Sequence, residues 1–390
     1  MPRNRTSSTI HATIHSIWKS LHLPSSALST LSLPPDPQDF PQHNTPRFLP
    51  SSYKLDHLAQ SSIALATLAA ALLHATRAQQ SSQRQQQQQP QQQPIEHNQH
   101  EINVPRVTIS PRGAALSFVS ERVYTLSGQP PRSSGMLIGG LYRTRDAGWV
   151  RVHDAFVNHR RAVARILGVS VSAEGMVDRE EVARAIRERW GAEELERAAL
   201  SGGAVVGKLR RDGEGEWDGW PLGGGDGGEN GPVRVERFAV PEGRMGEELR
   251  GHFGRAGEGE AWLRRRPLQG LRVLELSRVI AAPVAGRALA ALGADVLWLT
   301  APHLPDLPPL DVDLSRGKRT IQLDFRREQD KRTLLDLVRD ADVFIQSYRP
   351  DSLDRYGLAA QDLATENPGI VYASLSAYGE GDEELNRKNP

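Results

Sequence analysis

The feature that most constrains the fold is a regular alternation of short apolar segments with helical segments between residues 271 and 374. The apolar segments have the length of buried strands and are bounded by turn residues, whereas the segments between them have helical periodicity. The predicted strands are Leu271–Leu276, Asp295–Leu299, Thr320–Leu323, Val343–Ile345 and Ile370–Ser374. The predicted helices are Pro283–Leu292, Gln329–Arg339 and one that starts at Ser352–Tyr356. This order of strands and helices predicts a doubly wound parallel sheet of the α/β class.

The sequence divides into three predicted regions. Residues 266–390 form a Rossmann-like domain, residues 51–265 form an α+β region, and residues 1–50 form a disordered leader. Within the α+β region, the Gln-rich insertion 79–103 is expected to be disordered, because glutamine buries too little apolar surface to offset the entropy of ordering. Other predicted elements are the helices Ser16–Leu23, Lys54–Arg77, Arg112–Leu126, Asp178–Trp190 and Glu193–Leu200, the strand Val107–Ile109, the hairpin Tyr142–Ala155 and the loop Gly223–Asn230.

Composition excludes several classes of function. The chain has 48 basic and 47 acidic residues, so no overall charge attracts nucleic acid or an anionic membrane. The apolar run Ile63–Leu73 is too short to span a bilayer. Cysteine is absent and the histidines lack metal-ligand spacing, so we expect neither a metal site nor a tightly bound cofactor. We expect an intracellular protein, cytoplasmic or mitochondrial, because the first 35 residues lack Asp and Glu and form either a transit peptide or a basic tail.

The carboxyl ends of the predicted parallel strands are where an open α/β sheet binds its ligand. Ser277–Pro283 has that position after the first strand and leads into a helix N-terminus, which favours an anion. The Gly-x-Gly-x-x-Gly fingerprint of dinucleotide-binding proteins is absent from Arg278–Gly286, which disfavours a nicotinamide-dependent dehydrogenase. Basic residues at strand and turn edges suit phosphate, the alternative being an ordinary solvated surface. They are Arg316, Lys318, Arg319, Arg349 and Arg355.

These segments together resemble the family III CoA-transferases of the CaiB/BaiF type. Leu314–Arg319 is similar to the family's Asn-Arg-(Gly/Asn)-Lys-Arg turn, and Tyr348–Pro350 to its Phe-Arg-Pro-Gly motif. Three features depart from the family: its Lys-x-Glu is Trp298–Thr300 here, a basic residue that often follows it is Ala301, and its Gly after Arg-Pro is Asp351. The resemblance implies CoA or acyl-CoA as a substrate, with a carboxylic acid as its second substrate. The substrate-binding residues it implies are Val279, Ile280, Ala281, Arg316, Lys318, Arg319, Tyr348, Arg355 and Lys388.

Covalent chemistry at an aspartate is a further implication of the resemblance. In the family, a carboxylate attacks the acyl-CoA thioester to give a mixed anhydride, the CoA thiolate returns to form an aspartyl-CoA thioester, and the acceptor acid takes the CoA. The family's catalytic helix is similar to Leu55–Leu72, so the implied nucleophile is Asp56. Taken by itself, Asp56 is equally suited to capping a helix. Two alternatives stay open: a 2-methylacyl-CoA racemase-like enzyme with a His/Asp acid–base pair, and a catalytically inactive CoA-binding or scaffold protein.

The order of the resembling segments differs from that of the family. The first half of the chain resembles the back portion of a family domain and the second half resembles the front portion. One explanation is a single domain in permuted order, with Asp56 brought to the CoA edge of the sheet. The other, which we expect, is a fungal-type tandem protein whose second copy stops at Pro390. The relatives dimerise by threading through one another, which makes a homodimer possible.

Overall fold

The computed structural model describes residues 9–34, 48–51, 53–88, 102–131, 137–172, 176–210, 232–237, 266–349 and 351–376. The predicted loop Gly223–Asn230, the predicted CoA contact Lys388 and most of the Gln-rich insertion lie outside these ranges.

The second half of the chain forms a five-stranded sheet in which every strand pair is parallel. Its strands are β6 (Arg272–Leu276), β7 (Asp295–Thr300), β8 (Arg319–Gln322), β9 (Val343–Gln346) and β10 (Val371–Ser374), in the spatial order β10-β9-β6-β7-β8. The helices between them are α8 (Ala281–Ala291), α9 (Pro308–Leu314), α10 (Glu328–Arg339) and α11 (Ala360–Glu366). The predicted α/β class and the parallel sheet are confirmed. Because the chain crosses from β8 back to β9, the strand order reverses between β6 and β9.

Both faces of this sheet are buried, which explains the near-continuous apolar strands. Leu274 and Leu276 of β6 face a core formed with α10 and α11. Val273, between them, faces the opposite core, which includes α8. That second core also contains Ala70, which comes from the first half of the chain. A helix of the first half therefore forms part of the layer that covers the sheet.

The helix that carries Ala70 is the longest element of the first half. The structure there contains α1 (Ile10–Ser20), α2 (Leu55–Gln88), α3 (Pro111–Phe118), α4 (Ser120–Val123), α5 (Val157–Leu167), α6 (Arg179–Arg189) and α7 (Ala192–Gly202). The short strands β1 (Leu31–Ser32) and β2 (Val107–Thr108) pair in parallel, and β3 (Gly140–Arg143), β4 (Trp149–His153) and β5 (Val205–Lys208) form an antiparallel sheet. α5, α6 and α7 pack against that antiparallel sheet around one apolar core.

Several predicted boundaries are corrected by the structure. The leader contains α1, because Trp18 is buried against α2. α2 extends to Gln88, ten residues into the predicted insertion. The predicted helix Arg112–Leu126 is interrupted at Val119, which separates α3 from α4. α9 lies partly in a segment whose prolines suggest a loop, since proline is tolerated in the first turn of a helix.

α2 is long and apolar enough to cross a membrane, although the apolar run Ile63–Leu73 within it is too short to do so. Leu55–Gln83 spans 29 residues with a mean hydropathy of 1.5 over its most apolar window, enough by length and composition to cross a membrane. Its alanines extend the apolar stretch beyond Ile63–Leu73. Half of that window is buried inside the protein, and Leu68 and Ala70 belong to two different cores.

A buried polar cluster joins the two halves. The carboxylate of Asp313 at the end of α9 is fully enclosed and accepts a hydrogen bond of 2.7 Å from the Ser120 hydroxyl of α4. Arg287 of α8 forms an ion pair with the same carboxylate. Tyr124 adds a hydrogen bond of 3.1 Å from its hydroxyl to the carbonyl of Pro309. A buried carboxylate with these partners holds α4 against α8 and α9.

Candidate functional site

The loop between β6 and α8 lies at the carboxyl end of the sheet. Val279 has φ +70°, a left-handed conformation that is rare for a β-branched residue. Ile280 is 45% exposed, and Ala281, the first residue of α8, is also exposed. Backbone strain and exposed apolar side chains in a loop after a parallel strand are features of ligand sites. The three predicted contacts Val279, Ile280 and Ala281 are therefore available to a ligand.

Beneath this loop lies a fully enclosed ion pair. The Lys318 ammonium is 2.7 Å from Glu275 Oε2 of β6, and neither side chain is exposed to solvent. Lys318 also donates a hydrogen bond of 2.9 Å to the carbonyl of Pro283 in the first turn of α8. The Ser277 hydroxyl donates to Glu275 Oε1 at 2.6 Å. Burial raises the pKa of Glu275 and lowers the pKa of Lys318, and their mutual attraction opposes both shifts.

Two neighbours fix this pair in place. The Lys318 ammonium lies 4.6 Å from the ring centre of Trp298, whose indole N–H donates to the Ser277 carbonyl at 3.0 Å. Gly286 of α8 leaves room for the carboxylate, since a Cβ there would lie 1.6 Å from Glu275 Oε2. The enclosed position corrects the expectation that Lys318 contacts a phosphate. In this structure Lys318 supports the β6–α8 loop from below.

A small pocket opens beside the loop, with about 220 Å³ of empty space that includes volume open to solvent. It is lined by Phe156, Ser277, Arg278, Val279, Trp298, Thr300, Pro305, Asp306, Leu307 and Asp311. The Arg278 guanidinium donates to the Pro305 carbonyl and lies 5.1 Å from the ring centre of Phe156. Phe156 belongs to the first half of the chain, so the pocket is formed by both halves.

Two carboxyl groups face Arg278 across the pocket. Burial, the largest cause, and the negative charge of Asp306 raise the pKa of Asp311 to about 6, and the positive charge of Arg278 opposes that rise. Asp311 is half-buried on α9. The pocket therefore holds a carboxyl group that changes charge close to neutral pH.

The loop after β9 reaches the same edge of the sheet. The side-chain oxygen of Gln346 accepts the Tyr348 N–H at 2.8 Å, which turns the chain immediately after the strand. Burial raises the pKa of Tyr348, and Arg278 is close enough to oppose that shift. Asp351 has φ +60°, a left-handed conformation that explains why the resembling motif has glycine there.

The first half contributes two histidines to this region. His159 lies in the first turn of α5, with its ring 5.3 Å from the ring of Phe156 in an edge-on arrangement. Burial lowers its pKa, and the nearby His153, Arg278 and Arg349 lower it further. Phe156, His159 and Arg278 are not among the site residues predicted from the sequence. Only the position of Arg278 directly after a predicted strand carries a signal that could have identified it.

The other predicted basic contacts lie elsewhere. Arg316 pairs with Asp313 at 2.7 Å in the turn after α9. Arg319 opens β8 and pairs with Asp295 at 2.6 Å on the exposed surface. Arg355 is exposed in the 3₁₀ turn Asp354–Tyr356 and stacks on the neighbouring Tyr356 ring at 4.9 Å. None of these three lines the pocket beside the loop.

Asp56, the implied nucleophile, lies in the first turn of α2. Its carboxylate accepts the backbone N–H of Leu49 at 3.0 Å. The neighbouring His57 ring is hydrogen-bonded to the Thr13 hydroxyl at 2.9 Å. Asp56 is not among the residues that line the pocket. Within the residues with described coordinates, no group of three or more His, Asp and Glu side chains could hold a metal ion.

The five-stranded parallel sheet, with helices on both faces, defines the second half as a doubly wound α/β domain. Residues 268–389 match the sequence model of CoA-transferase family III. The match covers the sheet, the β6–α8 loop and the loop after β9.

Relatives with curated names match a little under a third of the chain. The probable fatty acyl-CoA transferase Rv3272 of Mycobacterium tuberculosis is 38% identical over 127 residues, covering 29% of this chain and 32% of the relative. The formyl-CoA:oxalate CoA-transferase of Streptomyces coelicolor is 39% identical over 127 residues, covering 30% and 31%. The acetyl-coenzyme A transferase nodX of Hypoxylon pulicicidum is 39% identical over 119 residues, covering 30% and 20%.

The chain thus spans at most about a third of the length of these relatives. Among solved structures, the orthorhombic form of Rv3272 superposes with a TM-score of 0.30 at 35% identity, covering 32% of this chain and 37% of that one.

Proposed function

We propose that the protein binds CoA or an acyl-CoA at the carboxyl edge of the five-stranded sheet and transfers CoA between an acyl-CoA and a carboxylic acid. The observation that carries this proposal is the family match over residues 268–389. The matched segment includes the loop Val279–Ala281 and every residue that lines the pocket beside it except Phe156. Two relatives that match about 30% of the chain are named formyl-CoA:oxalate CoA-transferase and succinate–glutarate CoA-transferase.

The enclosed Glu275–Lys318 pair supports the binding part of the proposal. It anchors the β6–α8 loop at both ends, through the Ser277 hydroxyl and the Pro283 carbonyl. A loop held in this way presents its exposed apolar residues in one conformation, which lowers the entropy lost when a flexible ligand binds.

For the covalent step, the proposed nucleophile is Asp56. Its carboxylate oxygen attacks the thioester carbonyl and releases the CoA thiolate, which then attacks the aspartyl carbonyl of the mixed anhydride and releases the donor acid. The acceptor carboxylate attacks the resulting aspartyl-CoA thioester, which releases the CoA thiolate and forms a second mixed anhydride. The thiolate then attacks the acceptor carbonyl of this anhydride, which forms the new acyl-CoA and releases the Asp56 carboxylate. The Leu49 N–H donates to Oδ1 of Asp56, and in the proposed step the other carboxylate oxygen, Oδ2, makes the attack.

A second candidate function is CoA binding without catalysis. Two observations favour it, since Asp56 is hydrogen-bonded to the chain before α2 and the pocket is lined by other residues. The two functions make different predictions for one substitution, Asp56→Asn, which keeps the size and hydrogen-bonding oxygen of the side chain.

The experiment is calorimetric titration of the full chain with CoA, followed by an assay of CoA transfer from an acyl-CoA to oxalate or succinate. We expect binding in both wild type and Asp56→Asn, and transfer at least 100-fold slower in the variant. Transfer by wild type that persists unchanged in Asp56→Asn removes Asp56 from the mechanism. Binding without any transfer in wild type supports the second function, and absence of CoA binding refutes both.

A further inference from the structure

We propose that the exposed face of the antiparallel sheet is a docking surface for an acidic, tryptophan-containing segment of this chain, residues 212–222. The face, hereafter the outer face, is formed by positions on β3, β4, β5 and the residue after β5 that lie on the side opposite α5, α6 and α7. None of these positions lines the pocket beside the β6–α8 loop, so occupation of the outer face does not depend on CoA binding. The positions are Leu141, Arg143, Trp149, Arg151, Gly207 and Leu209.

The strand register places these positions in two adjacent rows across the sheet. In the first row Arg143 is opposite Trp149, and the Leu209 N–H donates to the Trp149 carbonyl at 2.8 Å. The second row lies two residues further along each strand and contains the other three positions. Because side chains that are directly opposite in such rows are about 5 Å apart, the six positions form one continuous surface.

The outer face carries large apolar side chains where an antiparallel sheet usually presents polar ones to water. Leu141 is 52% exposed, Leu209 is 49% exposed and Trp149 is 40% exposed. The opposite face of the same strands, which includes Val150 and Val152, is buried against the helices. Apolar side chains that are exposed next to one another indicate a surface that another segment covers.

The same face carries two positive charges. Arg143 and Arg151 are exposed, and among the residues that the structure describes neither forms an ion pair with an acidic side chain. Arg210, which leaves β5 on the side of the helices, does have such a partner, since its guanidinium is 3.0 Å from the Glu196 carboxylate of α7. The outer face therefore matches an occupant that is both acidic and apolar.

Residues 212–222 have that chemistry in their sequence. They lie outside the described ranges and read Asp-Gly-Glu-Gly-Glu-Trp-Asp-Gly-Trp-Pro-Leu. The segment contains four acidic residues and no basic one, and Trp217, Trp220 and Leu222 supply large apolar side chains. Residues 377–390 are also acidic, but they include basic residues, lack tryptophan and follow the parallel sheet of the other half.

The position of the segment in the chain brings it to the outer face. Asp212 is three residues after Leu209, which itself belongs to the face. Three strands about 4.8 Å apart make the face about 10 Å wide, and the eight residues from Leu209 to Trp217 can span up to about 26 Å. Gly213 and Gly215 permit the reversal of direction that a return across the sheet requires. A tether this short gives an effective concentration roughly in the millimolar range, which favours this segment over one from a second copy.

Docking removes two unfavourable features of the outer face together. Carboxylates of the segment form charge-assisted hydrogen bonds with the two arginines. The tryptophan rings pack against Trp149 and the two leucines and exclude water from them. The face therefore recognises an acidic peptide that also contains aromatic residues, rather than a purely acidic or a purely apolar one.

The test is disulfide cross-linking in the full chain, which has no cysteine of its own. Gly207→Cys places a thiol in the outer face, where a Cβ meets no atom within 4 Å, and Gly219→Cys places one between the two tryptophans of the segment. The matched control combines Gly219→Cys with Arg197→Cys, an exposed position of α7 on the other side of the sheet. We expect the outer-face pair to form its disulfide at least tenfold faster than the control pair.

Charge reversal tests the chemistry of recognition. Arg143→Glu and Arg151→Glu, added to the outer-face pair, should slow disulfide formation at least fivefold, because they replace attraction by repulsion. Glu216→Lys and Asp218→Lys, added to that variant, should restore the rate. Both arginines are exposed, so the reduced variants should melt at the temperature of the unreversed pair, as measured by circular dichroism.

The size of the cross-linked product identifies the occupant. A monomeric product that forms at a rate independent of protein concentration supports docking of the chain's own segment. A dimeric product whose rate rises with protein concentration shows that the segment comes from a second copy, and this overturns the intramolecular assignment. A rate equal to that of the control pair, or one that charge reversal leaves unchanged, overturns the docking surface itself.

Discussion

Lys318 and Arg349 are both basic residues next to strands of one parallel sheet, yet the fold uses them in opposite ways. Lys318 precedes β8, and its side chain is enclosed with Glu275 beneath the ligand loop. Arg349 follows β9 and is exposed at the carboxyl edge. The comparison indicates that the role of a basic residue beside a parallel strand depends on whether it precedes or follows the strand. A cation before a strand can turn under the neighbouring helix, whereas a cation after a strand reaches the crevice where ligands bind.

The largest expected effect comes from breaking the enclosed pair. Lys318→Met leaves the Glu275 carboxylate buried without its counter-ion, so the free energy of unfolding should fall by about 3–5 kcal/mol. Urea denaturation followed by circular dichroism measures it. The double variant Glu275→Gln/Lys318→Met removes both charges and should recover most of the loss. As a surface control, Arg319→Gln, which breaks the exposed pair with Asp295, should change stability by about 0–1 kcal/mol. A Lys318→Met loss no larger than the control's would contradict the enclosed geometry.

The next effect concerns the second enclosed carboxylate, Asp313. Ser120→Ala removes a hydrogen bond to this buried charge across the two halves, and we expect a loss of about 1.5–2 kcal/mol in urea denaturation. The matched control is Ser20→Ala, whose exposed hydroxyl donates to a carbonyl of its own helix; its effect should stay within about 0.5 kcal/mol. Equal effects of the two serine substitutions would show that the halves are not joined at Asp313.

A smaller effect, which depends on pH, is expected at Asp311 in the pocket at the carboxyl edge of the sheet. The folded-state pKa of Asp311 is raised from 3.8 to about 6, so folding favours its protonated form and the protein loses stability as pH rises from about 4 to 6. Asp311→Asn should therefore melt like wild type at pH 4 and higher than wild type at pH 8. Because the side chain is half-exposed, we expect only about 1 kcal/mol at pH 8. Melting curves at pH 4, 6 and 8 measure the gap, and a gap that is the same at all three pH values would refute the pKa shift.

The sequence predicts the second half far better than the first. All five strands of the parallel sheet lie within about two residues of their predicted limits, because burial on both faces leaves a strong apolar signal in each strand. The predicted helix Ser16–Leu23 overlaps only the end of α1, because the packing of Trp18 on α2 that stabilises the helix is a tertiary contact. α9 escapes because its two leading prolines resemble a loop.

Only part of the candidate site can be predicted from the sequence, because some of its residues come together only in the folded protein. The loop Val279–Ala281 follows a strand and is found from topology alone. The apposition of Phe156 to Arg278, by contrast, joins segments more than a hundred residues apart, and no local pattern encodes it. Burial of a charge is equally hidden, since nothing in the residues around Lys318 distinguishes an enclosed cation from an exposed one.

The hydrogen bond between Ser120 and Asp313 spans 193 positions of the chain. At a synthesis rate of roughly 5–20 residues per second, Asp313 is added to the chain about 10–40 s after Ser120. During that interval the side of α2 that carries Ala70, which packs against the parallel sheet in the folded protein, remains exposed because the sheet has not yet been synthesised. Nascent chains of this protein therefore pass through a stage in which their risk of aggregation is highest, and chaperone capture should be concentrated there.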